Sequence, residues 1–142
     1  MPAIDIVDST WICARPAVVA AVVAEPANWR RWWPDLELTV DEWRGDRGVR
    51  WTVPRSADGL RGSMEVWLEQ ALDGVVLHYF LRLDPPDGAR LSRAGAVRRA
   101  TMHRRRIKRI FWSLSDELDP GRLQRTSAPA SRADADGPIE KV

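Results

Sequence analysis

The spacing of apolar residues changes along the chain from the period of a strand to that of a helix. Apolar and polar residues alternate over 3–13, which predicts a first strand. Valines then recur at helical spacing over 16–25, where a proline suits the first helical position, so we expect a short helix. Trp29, Trp32 and Trp33 stand at i, i+3 and i+4, which predicts a second short helix with the three rings on one face.

Four further segments alternate apolar and polar residues at the period of two. They are connected by short turn sequences, of which Asp73-Gly74 is the strongest hairpin signal. Short connections join antiparallel neighbours, so the segments predict a meander and, with the first strand, a sheet of about five strands. The four segments are 36–43, 49–53, 64–69 and 75–83.

A long helix is predicted from Ser92 to Leu118, because apolar residues there recur at the helical period while arginines occupy the other side. His103 falls on the apolar face. A sheet followed by a long helix places the chain in the α+β class. The predicted apolar stripe consists of Val97, Ala100, Ile107, Ile110, Phe111, Leu114 and Leu118.

The composition predicts one globular domain over 1–119, followed by a small, polar and disordered tail over 120–142. A single cysteine, Cys13, fits a reducing compartment. The first residues lack the pattern of a signal peptide, and no stretch approaches the ~18 apolar residues of a membrane span. We therefore expect a cytoplasmic protein.

Positive charge is concentrated in the long helix, although the net charge of the chain is only +2. The range 88–115 holds nine basic residues and no acidic one. The arginines could pair with carboxylates of the remaining, acidic body, or they could contact an anionic partner. We expect mainly the first, with at most a weak contact to an anionic surface. Binding of nucleic acid is not expected.

Two motifs and the order of elements carry a resemblance to a known family. The first strand runs into Ile12, Ala14, Pro16, Ala17 and Val19, and the tryptophan segment contains Glu25, Pro26, Trp29, Trp33 and Asp35. With the long helix that follows a proline-rich break, residues 3–118 resemble the START-like superfamily, and within it the bacterial polyketide cyclase/dehydrase and lipid-transfer group.

The resemblance implies a helix-grip fold, in which an antiparallel sheet wraps around the long C-terminal helix and two short helices follow strand 1. It also implies a cavity between the sheet and the long helix. The family usually has five or six strands between the second short helix and the long one, whereas 35–87 has room for about four. A hairpin is therefore expected to be missing, and the cavity to be small.

In such a fold the chain would bind an apolar or amphipathic small molecule, such as a lipid, a polyketide or a similar metabolite. Apolar walls with a few polar groups are typical of these sites. No cofactor motif and no metal-ligand cluster is present in the sequence, so neither group is expected. The predicted pocket residues are Trp33, Val40, Trp51, Met64, Val66, Tyr79, Leu81, His103 and Ile107.

Two other classes of function remain open. In an enzyme of the cyclase/dehydrase type, His103, Tyr79 or Arg50 would transfer a proton or hold an oxyanion. In an interaction module, the basic helix or the convex face of the sheet would bind a partner, with a homodimer as one form. The apolar residues predicted on that convex face are Val7, Trp11, Trp67, Val76 and Phe80.

The tryptophan segment itself has three interpretations. Aromatic residues at helical spacing are usually packed, so we expect Trp29 and one of Trp32 and Trp33 to plug the end of the core. The alternative is a lip of the ligand cavity. Stacking on nucleic acid bases is least expected, because it needs exposed rings along an extended groove.

Overall fold

The structure is a computed structural model that describes residues 1–119 and Gly121. Apart from Gly121, the tail predicted over 120–142 lies outside the described residues. A five-stranded antiparallel sheet, two short helices after the first strand and one long helix confirm the predicted α+β, helix-grip architecture. The helices described lack the combination of length and apolar character that spanning a membrane requires. In chain order the elements are β1 (Ile4–Ile12), α1 (Pro16–Val23), α2 (Pro26–Trp32), β2 (Thr39–Trp43), a 3₁₀ turn (Gly45–Arg47), β3 (Gly48–Val53), β4 (Arg61–Ala71), β5 (Gly74–Asp84) and α3 (Arg93–Leu118).

The strands lie in the order β1-β5-β4-β3-β2, and every neighbouring pair is antiparallel. The predicted meander is therefore confirmed for β2 to β5. β1 pairs with the last strand, from Ile4 opposite Leu83 to Ile12 opposite Val75. One face of the sheet packs on the core, because side chains alternate between the two faces of each strand.

The starts of the helices follow local sequence signals. Pro16 and Pro26 occupy the first turns of α1 and α2, where a proline costs no hydrogen bond. Pro26 follows the end of α1 and is the first residue of α2. α2 therefore begins three residues before Trp29, the first of the tryptophans from which the helix was predicted. Ser92 caps α3, since its hydroxyl oxygen accepts a hydrogen bond from the backbone N–H of Gly95 at 3.0 Å.

α3 buries one face against the sheet and exposes the other. Ile107, Ile110, Phe111 and Leu114 are buried, as the apolar stripe predicts. The placement of Val97 in that stripe is wrong, because its side chain is 60% exposed. At about 100° per residue, Val97 lies about 80° around the helix from Ile107, outside the buried face.

The β4–β5 hairpin differs by one residue from the turn that Asp73-Gly74 predicts. Ala71 pairs with Gly74, so the loop consists of Leu72 and Asp73, and Leu72 adopts a positive φ of 57°. Gly74 instead lies within β5, where a Cβ atom would stand 2.3 Å from the carbonyl oxygen of Ile12. Glycine is therefore required at this position by the close approach of β1 rather than by the turn.

Ion pairs fasten α3 to three separate segments of the chain. Arg99 Nε lies 2.5 Å from an oxygen of Asp58 in the β3–β4 loop. Arg106 Nη1 lies 2.5 Å from Asp35, just after α2. Lys108 Nζ lies 3.0 Å from Asp8 on β1. Part of the positive charge of α3 is thus neutralised by the acidic body, as expected from the sequence.

Trp29 plugs the end of the core beside β2 and β3. Its side chain is 8% exposed, and its indole N–H donates to the carbonyl oxygen of Val23 at 2.5 Å. Its ring contacts Trp51 edge-on at a centroid distance of 5.2 Å and Trp43 at 5.9 Å. Trp32 and Trp33 are 7% and 2% exposed, so both are buried, whereas the sequence predicted core packing for only one of these two rings beside Trp29.

Replacing Trp29 with alanine should lower the free energy of unfolding by ~3–5 kcal/mol, because the change leaves a large cavity and removes a buried hydrogen bond. Urea denaturation measures the difference. Trp112→Ala is the matched control, since Trp112 is 58% exposed on α3 and its loss should cost less than about 0.5 kcal/mol. Equal stability of Trp29→Ala and the wild type would mean that the ring is not a plug.

Candidate functional site

Aromatic side chains converge where α2 meets the sheet, and we call this region the aromatic end: Trp29, Trp33, Trp43, Trp51 and Tyr79. Trp33 stacks on Tyr79 with an interplanar angle of 3° and a centroid distance of 6.1 Å. The same indole meets Trp51 at 5.7 Å and 61°. α2 places Trp33 between the sheet and the outside of the molecule, so this ring forms the boundary between interior and surface.

The predicted pocket residues lie together in the interior, with one exception at its rim. Val40 on β2 is half-buried, whereas the other eight are at most 4% exposed. They contact one another directly; the hydroxyl of Tyr79, for example, donates to Met64 Sδ at 3.5 Å. The assignment of these side chains to a ligand pocket stays a prediction, since they form the packed core in this structure.

A cavity of about 440 Å³ opens on the outer side of Trp33. Its walls are mostly apolar, and Arg30 contributes the one charged side chain among the lining residues. The cavity lies between α2 and the segment that leads into β2. The lining residues are Pro26, Trp29, Arg30, Trp33, Pro34, Leu36 and Leu38. Of the nine predicted pocket residues, Trp33 alone lines this cavity.

Three buried nitrogen atoms near the aromatic end have no hydrogen-bond partner of normal geometry among the described residues: Trp33 Nε1, Trp51 Nε1 and His103 Nδ1. Most buried polar atoms in folded proteins are paired, and leaving one unpaired costs about 1–3 kcal/mol. The interior behind Trp33 therefore offers two indole donors and an imidazole nitrogen to a polar atom of a bound molecule or to water.

Burial controls the protonation of both interior candidates for acid–base chemistry. Burial raises the pKa of Tyr79 well above its ordinary value, against smaller opposing effects of the Arg106 charge and the nearby Trp33 indole. Burial lowers the pKa of His103, and the Arg106 charge lowers it further. At neutral pH the phenol is therefore protonated and the imidazole neutral.

The carboxylates around His103 act in the opposite direction. Asp35 and Asp58 raise its pKa, but each is held in an ion pair with a guanidinium of α3, Arg106 or Arg99 respectively. The two carboxylates raise the pKa of His103 by less than burial lowers it. His103 thus lies one helical turn from each of two ion pairs without being charged itself.

Arg50 does not share the interior with His103 and Tyr79. Its neighbours on β3, Val49 and Trp51, point into the core, so Arg50 points to the outer face. There its guanidinium lies 3.2 Å from Asp41 and 4.0 Å from Glu65. The structure therefore does not bring the three candidate catalytic residues together. Within the described residues, no group of three or more His, Cys, Asp or Glu could hold a metal ion.

Sequence reasoning missed the cavity residues Arg30, Leu36 and Leu38. Leu36 and Leu38 alternate like strand residues, yet β2 begins only at Thr39, and Leu36 makes just an isolated bridge with Ser56. The signal that could have identified them is their position directly after the buried tryptophans and Pro34. A proline there turns the chain so that the next apolar residues face α2.

Comparisons with known proteins give matches at the level of structure. No protein-family model matches the sequence, and no curated protein matches it. A crystal structure of DR_A0006 from Deinococcus radiodurans is 12% identical, with a TM-score of 0.57 over 80% of this chain and 98% of that chain. The solution structure of the Aha1 dimer from Colwellia psychrerythraea is 14% identical, with a TM-score of 0.54 over 83% of this chain and 98% of that one.

A third match is the crystal structure of the di-domain ARO/CYC StfQ from the steffimycin biosynthetic pathway. It is 11% identical, with a TM-score of 0.56 over 80% of this chain and 51% of that chain. At these identities the likeness concerns the fold. The chain therefore shares the helix-grip fold of these three structures.

Proposed function

We propose that the chain binds an apolar or amphipathic small molecule at the aromatic end. The observation that carries this proposal is the 440 Å³ cavity, whose walls are Trp29, Trp33, Leu36 and Leu38 with Arg30 at its margin. Apolar walls with one charged group suit a molecule with an apolar body and a polar or anionic end. A lipid, a polyketide or a similar metabolite has this chemistry.

The predicted pocket between the sheet and α3 is the inner continuation of the same proposal. A ligand that displaced Trp33 from Tyr79 would reach Trp51 and Met64, the latter an adaptable side chain. It would also meet two unpaired nitrogen atoms, the donor Trp51 Nε1 and the imidazole Nδ1 of His103. Trp33 is thus proposed as the residue that separates an outer binding cavity from an inner one.

The structural neighbours support a small-molecule ligand to a limited extent. StfQ, which shares this fold, is an ARO/CYC from the steffimycin biosynthetic pathway. Fold alone does not transfer that activity to this chain. The single cysteine, Cys13, supports our proposal that the protein acts in the cytoplasm.

The uncharged dye N-phenyl-1-naphthylamine should bind with roughly micromolar affinity and accept excitation energy from the tryptophans. Leu38→Asp should weaken this binding about tenfold or more, because it places a carboxylate in the apolar wall. Fluorescence titration of the dye measures both affinities.

Val97→Asp is the matched control for the dye experiment, since Val97 is exposed on α3 away from the cavity. Its affinity for the dye should equal that of the wild type. A folded wild-type protein that binds neither this dye nor a smaller apolar compound would refute ligand binding. Native mass spectrometry of the purified protein adds a direct search for a co-purified ligand.

An enzymatic function has weaker support. A neutral His103 can accept a proton. The raised pKa of Tyr79 makes its phenol a poor proton donor, although the phenol can still donate a hydrogen bond. Arg50 lies on the other face of the sheet and cannot hold an oxyanion in the same site. We therefore rank binding above catalysis.

The protonation of His103 can be tested through stability. Because burial lowers its pKa in the folded state, the unfolded chain takes up a proton at a higher pH than the folded chain does. The free energy of unfolding should then fall as the pH drops below about 6.5, with a slope from this residue of at most about 1.4 kcal/mol per pH unit. Urea denaturation at about pH 7.5 and about pH 5.5 measures the fall.

His103→Gln should lose this component of the acid sensitivity, since glutamine does not titrate. His78→Gln is the control, because it removes a histidine on the outer face, where His78 Nε2 lies 3.0 Å from Glu69. The control should keep the component due to His103. An unchanged acid sensitivity in His103→Gln would show that this imidazole is protonated as easily as in the unfolded chain.

A second candidate, an interaction module that forms a homodimer, is favoured by the outer face of the sheet. Val7, Trp11 and Trp67 are 65%, 38% and 39% exposed there, as their parity predicts. Val7 lies opposite Phe80, and Trp11 opposite Val76, so apolar side chains adjoin across β1 and β5. Ser9 and His78 lie opposite each other between these two apolar pairs. Exposed apolar surface bordered by polar residues is typical of an interface. Aha1 from Colwellia psychrerythraea, which shares this fold, is a dimer, and fold alone does not transfer that state to this chain.

If this face forms an isologous dimer, sedimentation velocity should show dimers whose fraction grows with protein concentration. Val7→Lys should shift the protein toward the monomer, because each protomer would then bury a lysine charge in the apolar contact. Val97→Lys, at a position of similar exposure on α3, should leave the dimer intact. Monomers at all concentrations would exclude the homodimer.

A further inference from the structure

A groove with positive charge lies between the end of α2 and α3. We call it the arginine groove; it has a volume of about 290 Å³ and shares only Pro34 with the cavity at the aromatic end. Trp32, Pro34 and Ile110 supply apolar surface. Arg31, Arg109 and Ser113 supply donors, and Arg106 lies at one side. The groove therefore combines apolar walls with several hydrogen-bond donors.

Most of this positive charge has no carboxylate partner within the part of the chain that the structure describes. Arg106 is paired with Asp35. Arg31 donates to the neutral side chain of Asn28 at 2.6 Å and lies over the Trp32 ring at 5.6 Å. Arg109 makes no ion pair with a described residue. Two guanidinium charges thus remain available, in contrast to Arg99, Arg106 and Lys108 of α3, which are all paired.

The other donors lie close to these guanidinium groups. Arg109 and Ser113 are four residues apart on α3, so their side chains share one face of the helix. The Trp32 side chain is 7% exposed, and its buried Nε1 has no acceptor among the described residues. Two unpaired guanidinium groups and a hydroxyl therefore favour an acceptor-rich anion, and Trp32 supplies apolar surface beside them.

We propose that the arginine groove binds the phosphate group of a small molecule whose organic part rests on Trp32, Pro34 and Ile110. Guanidinium groups match phosphate oxygens with paired hydrogen bonds. Two guanidinium groups and a hydroxyl supply more donors than the two oxygens of a carboxylate can accept, whereas a phosphate monoester offers three oxygens. The volume suits a compact molecule rather than a dinucleotide.

Isothermal titration calorimetry of the full chain with phenyl phosphate tests the proposal. Phenyl phosphate should bind more tightly than inorganic phosphate, because its ring covers the apolar walls. Phenol should not bind measurably at the same concentrations, because it carries no phosphate. Arg31→Gln and Arg109→Gln should each weaken phenyl phosphate binding about tenfold or more, as expected for the loss of a charge-assisted hydrogen bond.

Arg104→Gln is the control, because Arg104 is an exposed arginine on another side of α3 and its removal lowers the net charge equally. It should leave the affinity unchanged. An equal loss in all three variants would mean general attraction of anions by α3 and would overturn the site. So would the absence of phenyl phosphate binding to a protein whose circular dichroism shows it folded.

A vesicle experiment separates a soluble phosphate from a lipid headgroup. Phosphatidylcholine vesicles with phosphatidic acid should not compete with phenyl phosphate if the ligand is a small molecule. Vesicle binding that needs Arg109, without phenyl phosphate binding, would overturn the proposal in favour of a lipid surface. Leu38→Asp should leave phenyl phosphate binding intact, so failure here is distinguishable from failure of the apolar cavity.

Discussion

The filling of the space between the sheet and α3 by large side chains constrains the rest of the structure. Trp51 and Tyr79 rise from the sheet, Phe111 descends from the helix, and Trp33 closes the end by stacking on Tyr79. Close packing in a five-stranded sheet leaves little interior volume. The open volume at the aromatic end accordingly lies outside Trp33, between α2 and the segment before β2.

The charges of α3 fall into two groups with different roles. Arg99, Arg106 and Lys108 are bound to carboxylates of three segments that are distant in sequence, and so they hold the loop after β3, the end of α2 and β1 against the helix. Arg109 has no such partner among the described residues and lines a groove with Arg31. The basic side chains of α3 therefore do not act as one set: some pair with carboxylates of the same chain, and Arg109 lines the arginine groove.

The pattern of apolar and polar residues predicted the architecture of the domain but not the residues that line its cavity. Strand parity and the valine and tryptophan spacings predicted five strands, two short helices and the burial of Trp29, because these depend on local periodicity. Periodicity could not show that Leu36 and Leu38 leave the strand to line a cavity, which depends on how α2 packs. Nor could it show that Gly74 serves the approach of Ile12, a contact between segments far apart in the chain.

Because β1 pairs with β5, β1 cannot join the sheet until β5 has been synthesised. Among the strands that the structure describes, β1 lies at the edge of the sheet and pairs with β5, which comes last in the chain and leaves the ribosome after the others. Until residues 74–84 have emerged, Ile4, Ile6 and Ile12 have no strand against which to pack. Forming this pair therefore joins segments that are far apart in the chain, which is slow compared with forming a hairpin.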